Sequence, residues 1–267
     1  EEDSLRTFTA SNYGNTTYAA AEYWFVANPV EGLRQLGIGG YPSEAVLMAD
    51  PELRSRCRRP RPLEDFEDDV RQINRRLALL KTSRRLEQLD VLAARLYTGP
   101  MFVKYNAVCR AAKRGAPYPF VSLRDSLVGK NYYAATIHAI DNAIRTLAPL
   151  TRCCKVYRGV SGGHLPQQFL KPDEANLRLG VEFGFMSTTT NYATAREYAS
   201  HGSGILFELS MGVRDRAASL SFLSQYPFEA ELTFAPLLAL EMLDTYTEGD
   251  LVLVRLRPCA CAAAPQK

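Results

Sequence analysis

The sequence predicts an α+β protein in which the helices come first and the strands follow. Residues 63–148 carry apolar side chains at helical spacing, whereas the apolar runs after Pro149 are short and bounded by turn residues. Helices and strands segregated in this way argue against a doubly wound α/β sheet. We therefore expect an N-terminal helical lobe and, over residues 150–258, a mainly antiparallel β core of two sheets.

The composition is that of an ordinary globular protein, with 46% hydrophobic and 23% charged residues in a chain of 267. A formal net charge of +3 is too small to indicate nucleic acid or an anionic membrane, so neither partner is expected. No stretch approaches the roughly 20 apolar residues that cross a bilayer, which favours a soluble protein. The compartment stays open, and secretion or delivery as an effector both fit.

The cysteines predict neither a metal site nor a disulfide framework. Their spacing does not match paired zinc ligands, and an even count permits disulfides without proving any. The six are Cys57, Cys109, Cys153, Cys154, Cys259 and Cys261.

Residues 1–62 are expected to be an N-terminal extension of unknown role. Three glycines and a proline break residues 37–42, after which Ser43 is placed to cap a short helix. A basic run follows, for which we weigh a docking surface for an acidic partner against a solvated linker. Its members are Arg54, Arg56, Arg58, Arg59 and Arg61.

Helical periodicity begins at Leu63. Apolar residues spaced 4, 3, 4 and 3 apart form one stripe: Phe66, Val70, Ile73, Leu77 and Leu80. Further helices are expected over residues 86–96, 101–112 and 131–148. His138 lies in the last of these, where a surface or packing role fits better than a ligand role.

Five strands are expected after Pro149, at residues 155–160, 181–186, 204–209, 232–240 and 251–256. A short helix is expected over residues 193–200. Polar stretches lie in or beside these strands, and three of them could form a site.

The first such stretch is a pair of carboxylates, Glu229 and Glu231, separated by Ala230. We expect the strand to begin near Glu229, which would put both side chains on one face about 6.5–7 Å apart along the chain. Like charges on one sheet face repel each other. The pair is therefore either a solvated surface feature or part of a site that holds something cationic.

The second stretch is Tyr157-Arg158-Gly159, and the third is Ser187-Thr188-Thr189. An arginine inside a strand is costly unless its guanidinium meets an anion, and phosphate is a natural bidentate partner. Successive hydroxyls at a strand end suit hydrogen bonding across a cleft. The alternatives are an edge-strand arginine facing water and an ordinary Thr-rich turn.

In this order, the three stretches resemble the R-S-E class of ADP-ribosyltransferases, which includes the cholera-toxin group, the clostridial binary toxins and the vertebrate ecto-enzymes. The resemblance covers roughly residues 63–258 and leaves residues 259–267 as a C-terminal tail. Where the family often has Ser-Thr-Ser, this chain has Thr189 as the third residue, and the hydroxyl is retained.

The resemblance implies that NAD is the co-substrate, bound without a metal between two sheets. Arg158 would hold the pyrophosphate and the Gly159 backbone the nicotinamide carboxamide. Ser187 would orient Glu231, whose carboxylate would stabilise the positive charge that develops on the ribose as nicotinamide leaves. The remaining NAD-binding residues implied are Tyr157, Thr188 and Thr189.

The resemblance also implies an acceptor, an arginine side chain on a target protein. Glu229 would select it, because a carboxylate can both bind a guanidinium and help to remove its proton. Tyr226 and Phe228 would lie on the turn that meets the target. Two alternatives stay open: an NAD glycohydrolase on the same fold, and a catalytically silent binding module, against which the intact set of four site residues argues.

Overall fold

The computed structural model describes residues 19–35, 42–52, 57–129, 131–162, 165, 167–199 and 204–259. Most of the expected break at residues 37–42, two members of the basic run (Arg54 and Arg56) and all but the first residue of the expected tail lie outside these ranges. The chain divides into two compact units. The helical unit comprises Glu1–Leu147 with Leu220–Phe228, and the sheet unit comprises Ala148–Ser219 with Glu229–Lys267.

The helical unit contains the predicted helices and three that the sequence did not predict, over Ala19–Ala27, Pro29–Gln35 and Tyr118–Val128. Its helices are α1 (Ala19–Ala27), α2 (Pro29–Gln35), α3 (Glu44–Ala49), α4 (Glu67–Leu79, after a 3₁₀ turn at Leu63–Phe66), α5 (Gln88–Tyr97), α6 (Phe102–Ala111), α7 (Tyr118–Val128) and α8 (Ala134–Leu147). The Ser43 hydroxyl accepts a hydrogen bond from the Val46 amide at 3.4 Å, so the predicted cap of α3 is confirmed.

Helix α7 escaped prediction because its apolar residues do not form a buried stripe. Tyr118, Phe120 and Leu123 are all exposed. The helix begins directly after Pro117 and ends at Gly129, whose φ of 56° stops the helical conformation.

Hydrogen bonds of α5 help to fix its start and its contact with α8. The Asp90 carboxylate accepts from the Glu87 amide at 2.9 Å and from the Asn142 side chain of α8 at 3.0 Å. Buried apolar residues of α8, Ile140 and Ile144, lie on one face of that helix.

The sheet unit contains eight strands and two short helices among its described residues. They are β1 (Lys155–Val160), α9 (Gln167–Leu170), β2 (Leu179–Glu182), β3 (Met186–Thr189), α10 (Tyr192–Ala199), β4 (Gly204–Ser210), β5 (Ala218–Ser219), β6 (Glu231–Phe234), β7 (Leu238–Glu248) and β8 (Leu251–Cys259). The strand order is β2-β7-β8-β4-β1-β3-β6-β5. All neighbours are antiparallel except β4 and β8, which confirms the mainly antiparallel core.

Two of the expected strands were too long. Residues 181–186 are divided between β2 and β3, which a short segment around Gly184 separates. Residues 232–240 are divided between β6 and β7, since Pro236 cannot donate to a ladder and Leu237 has a φ of 62°.

The expected division into two sheets is not confirmed, because hydrogen bonding joins all the described strands in one order. The junction between β1 and β3 is nevertheless narrow. It consists of a single register pair, Tyr157 opposite Thr189, whereas six pairs join β1 to β4. We call this junction the seam, and the site described below lies beside it.

Both faces of β1 are covered. Val156 belongs to an apolar cluster with Met186, Leu232 and Phe234, whereas Tyr157 packs against the cluster formed with α10. Helix α10 approaches the strand so closely that a Cβ atom on Gly159 would lie 1.9 Å from the Ala195 carbonyl oxygen. Only glycine fits at this position without moving the helix backbone.

Candidate active site

Glu231 is a buried carboxylate at the start of β6, with 6% of its surface exposed. It lies opposite Thr189 in the β3–β6 ladder, and Ser187 lies opposite Thr233. The Thr233 hydroxyl donates to Glu231 Oε1 at 2.9 Å, and the Ser187 hydroxyl also hydrogen-bonds the carboxylate. The structure thus brings Ser187 and Glu231 together as the resemblance implied.

Burial raises the pKa of Glu231 to about 7. The charge of Glu229 raises the pKa further, whereas the hydrogen bonds from Ser187 and Thr233 and the charge of Arg158 lower it. A carboxyl group with such a pKa changes its charge near neutral pH, which is common for groups that take part in catalysis.

Arg158 projects from β1 and reaches across the seam to β3. Its Nη1 donates to the Ser187 carbonyl oxygen at 2.8 Å. The guanidinium is also close enough to favour the ionised form of Glu231. Because the β1–β3 ladder has one register pair, the cation occupies a place where two strands separate.

Glu229 does not lie on the strand, so the expectation that β6 begins near this residue is wrong. Glu229 ends a 3₁₀ turn, Pro227–Glu229, and β6 begins at Glu231. Between them Ala230 has a φ of 47°, in the left-handed region. The period-two argument for a shared strand face therefore fails, because a turn separates the two carboxylates.

The structure holds Glu229 by other contacts. The Tyr198 hydroxyl of α10 donates to Glu229 Oε1 at 2.8 Å, and the Thr189 hydroxyl donates to the Glu229 carbonyl oxygen at 2.7 Å. Burial raises the pKa of Glu229, and the hydrogen bond from Tyr198 opposes this shift. Glu229 is still near enough to Glu231 for its charge to raise that neighbour's pKa.

The other predicted NAD-binding residues surround the seam. Tyr157 is half-buried and stacks edge-on against Tyr192 of α10, with ring centroids 5.3 Å apart. Thr188 is buried, and its hydroxyl donates to the Leu232 carbonyl oxygen at 2.6 Å. Gly159 lies under α10, as described above.

The predicted acceptor-recognition residues are divided between the two units. Tyr226 and Phe228 belong to the helical unit, through the segment Leu220–Phe228, and Glu229 belongs to the sheet unit. Tyr226 is buried, whereas Phe228 is 42% exposed. The Arg59 guanidinium lies 4.9 Å from the centre of the Phe228 ring.

Two residues of the site were missed by the sequence analysis. Thr233 follows Glu231 by two positions on a strand, so period two could have identified it as a neighbour on the same face. Tyr198 had no comparable signal, because it reaches Glu229 from a helix that lies elsewhere in the chain.

Neither a metal site nor a membrane-spanning helix emerges from the residues that the structure describes. Within those ranges, no group of three or more His, Cys, Asp or Glu side chains is arranged to hold a metal ion. Also within them, no helix combines the length and the apolar character needed to cross a bilayer.

Known proteins share the fold of this chain. ADP-ribosyltransferase Vis, a toxin from Vibrio splendidus, is 18% identical, with a TM-score of 0.50 and coverage of 86% of this chain and 91% of Vis. ADP-ribosyltransferase HopU1 of Pseudomonas syringae pv. tomato DC3000 is also 18% identical, with a TM-score of 0.53 and coverage of 74% and 88%. At these identities the likeness shows the fold.

No curated protein sequence matches the chain. A family model does: the model for NAD:arginine ADP-ribosyltransferases matches residues 62–260. This range contains the seam, Arg158, Ser187 and both carboxylates. The chain therefore belongs to the NAD:arginine ADP-ribosyltransferase family, and its reaction is the NAD-dependent transfer of ADP-ribose.

Proposed function

We propose that the protein transfers ADP-ribose from NAD to an arginine side chain of a target protein and releases nicotinamide. The observation that carries this proposal is the environment of Glu231. It is a buried carboxylate held by two hydroxyl groups, with a guanidinium beside it and a second carboxylate on the adjoining turn.

The residues at the seam fit NAD in charge and hydrogen-bonding capacity. A guanidinium offers five N–H donors, of which Arg158 directs Nη1 to the Ser187 carbonyl oxygen. Its positive charge suits a dianionic pyrophosphate. We assign contacts with the rest of NAD to Tyr157, the Gly159 backbone, Thr188 and Thr189.

Glu231 is assigned the transition-state role. Cleavage of the bond between nicotinamide and ribose builds positive charge on the ribose carbon, and a fixed carboxylate beside that carbon stabilises it. Ser187 and Thr233 hold the carboxylate in one orientation, so little reorganisation is needed as the charge develops.

Glu229 is assigned the acceptor role. A guanidinium stays charged at neutral pH and is a poor nucleophile until it loses a proton. A carboxylate whose pKa is raised by burial can bind the cation and accept that proton more readily than an ordinary surface glutamate. Tyr226 and Phe228 precede it in the chain, and we assign them to contact with the target protein.

Two other functions are distinguishable from this one. An NAD glycohydrolase would use the same NAD-binding residues with water as the acceptor. A silent binding module would not require a buried, hydrogen-bonded carboxylate beside a guanidinium, because desolvating such a charge costs stability. The contacts of Glu229 favour a transferase over both.

The test is to incubate the purified protein with NAD, alone and with agmatine or a cellular protein extract. Nicotinamide release and ADP-ribose attached to acceptors are measured in parallel, and mass spectrometry identifies the modified residue. The proposal predicts acceptor-stimulated nicotinamide release and modified arginine. Release of nicotinamide with no modified protein or agmatine would indicate a glycohydrolase, and no release would indicate a silent module.

The site of action is part of the same proposal. A target protein is required, and the shared fold with a toxin favours a secreted or delivered effector. Modified proteins recovered from a host extract would identify the target and its compartment together.

A further inference from the structure

The segment Leu220–Phe228, which we call the recognition turn, belongs to the helical unit although strands of the sheet unit precede and follow it. It carries Tyr226 and Phe228 and leads directly to Glu229. Within the helical unit, its fixed point is Gln225, whose surface is 0% exposed.

Every polar group of Gln225 is used within the helical unit. Its amide donates to Thr98 Oγ1 at 3.1 Å, and its carbonyl oxygen accepts from the Arg59 amide at 2.9 Å. Its side-chain Nε2 donates to the Arg95 carbonyl oxygen at 2.7 Å, and Oε1 accepts from Arg58. A buried residue with all its polar groups satisfied is held in one orientation.

Arg58 connects Gln225 to the first described helix. Its Nε and Nη2 donate to Gln225 Oε1 at 2.9 and 2.6 Å, and its Nη1 donates to Glu22 Oε1 at 3.1 Å. The side chains of Arg58 and Glu22 are only 4% and 6% exposed. A buried ion pair is a weak source of net stability, because desolvation offsets the attraction, but it fixes its members geometrically.

Two more arginines bind carbonyl groups of the recognition turn. Arg95 Nη1 donates to the Leu223 carbonyl oxygen at 2.8 Å. Arg61 Nη1 donates to the Phe222 carbonyl oxygen at 3.2 Å, and its Nη2 pairs with Asp69 Oδ2 at 2.8 Å. Three cations therefore converge on one short segment, at a cost in mutual repulsion.

We propose that these residues form a positioning device, an arginine clamp made of Arg58, Arg61 and Arg95 together with Glu22, which sets the recognition turn for the acceptor. This inference rests on the proposed transferase function. It gives Glu22, Arg58 and Arg61, which lie in a stretch expected only as an extension of unknown role, a specific part in acceptor use.

Loosening the clamp should reduce transfer to the acceptor more than it reduces hydrolysis of NAD. The residues assigned to NAD lie on strands of the sheet unit and make their own contacts there. Tyr226 and Phe228 follow Gln225 by one and three positions. Displacing them by about 1 Å is expected to cost on the order of 100-fold in transfer, whereas hydrolysis of NAD does not need them.

Three substitutions loosen the clamp to different degrees. Glu22→Gln removes one charge and keeps the shape, and Arg58→Lys keeps the charge but cannot bridge Glu22 and Gln225 as a guanidinium does. Gly99→Ala would put a Cβ atom 2.3 Å from Gln225 Nε2, so it displaces Gln225 from Arg58 without replacing a residue of the clamp. The matched control is Arg34→Ala, which breaks the exposed Arg34–Glu31 pair of α2.

We expect the three variants to lose at least tenfold in kcat/KM for agmatine, while nicotinamide release without an acceptor stays within about twofold of the original. The control should change neither activity. Equal losses of transfer and hydrolysis would show a merely structural role, and unchanged transfer would show that the clamp does not position the turn.

Hydrogen exchange of peptides covering residues 220–229 provides a second readout that needs no acceptor. The three variants should exchange faster there, and the control should not. If the original protein labels no arginine, the proposed function fails, but hydrogen exchange still shows whether the clamp holds the recognition turn in place. Unchanged exchange in all three variants would overturn the inference.

Discussion

At the scale of single residues, the site depends on a carboxylate, Glu231, whose buried surroundings disfavour its negative charge. Burial raises the pKa of Glu231 to about 7, while two hydroxyl groups and Arg158 partly compensate. The folded protein therefore carries an unfavourable charge above neutral pH that is useful only when a cation develops beside it.

Glu231→Gln should abolish both transfer and hydrolysis. The substitution keeps the size of the side chain and removes the charge that stabilises the transition state, which costs on the order of 10²–10³-fold in turnover. NAD binding, measured by titration, should change much less. Glu241→Gln, which breaks the pair with Arg257 on the β7–β8 hairpin, is the matched control. Near-normal turnover by Glu231→Gln would refute the assigned role.

The same carboxyl group should set the pH dependence of activity and stability. Activity requires the ionised form, so kcat/KM for NAD should fall below about pH 7. Stability changes in the opposite direction. The pKa of Glu231 is 4.5 in an unfolded chain and about 7 in the folded protein, so the unfolded state loses this proton first and the fold is progressively destabilised as pH rises from about 4.5 to 7.

Glu231→Gln lacks this ionisation and should be more stable than the original protein at pH 8, by about 3 kcal/mol at most. At pH 4.5 the two proteins should differ little. Denaturant unfolding at both pH values measures the difference. A constant difference across this range would contradict the raised pKa.

Glu229→Gln should remove transfer to arginine and leave slow NAD hydrolysis. An amide can neither pair with a guanidinium as an ion nor take its proton. Tyr198→Phe, which removes the hydrogen bond to Glu229, should reduce transfer about threefold to tenfold and spare hydrolysis. Tyr192→Phe, which loses a hydrogen bond to Glu248 instead, is the control. If Glu229→Gln loses transfer and hydrolysis equally, the separate roles assigned to Glu229 and Glu231 are wrong.

At the scale of elements, the turn before β6 shows how the geometry of a short motif can differ from what its sequence predicts. The sequence suggested two glutamates on one strand face. A strand cannot contain the left-handed Ala230, and Pro227 favours the turn that precedes it, so Glu229 is placed by the turn instead. Dihedral angles of this kind are set by packing, which is not visible in residue order.

The contact between β1 and α10 supports a prediction about stability. Gly159→Ala would place a Cβ atom 1.9 Å from the Ala195 carbonyl oxygen, where only the backbone of α10 could move aside. We expect a loss of about 1–3 kcal/mol in the free energy of unfolding. Gly212→Ala, whose Cβ would meet its nearest atom at 3.6 Å, should be close to neutral. If Gly159→Ala proved as stable as Gly212→Ala, the backbone of α10 would move away from the added methyl group without a measurable cost in stability.

At the scale of the whole molecule, the sequence predicted the order of helices and strands because periodicity is local. The residues at the site could be named only through a resemblance, since Arg158, Ser187 and Glu231 lie on strands that meet through long-range pairing. The basic run illustrates the limit. It was expected to be solvated or to dock a partner, but Arg58 is buried, and its partners Glu22 and Gln225 are distant in sequence. The boundary at residue 62 remains a prediction.

The seam gives the sheet an uneven mechanical character. Nine register pairs join β7 to β8, whereas one joins β1 to β3. A force that pulls these neighbours apart therefore meets little resistance at the seam and much more along the hairpin. We therefore expect the sheet to yield most readily along the line where Arg158 donates to the Ser187 carbonyl oxygen, while its longer ladders stay intact.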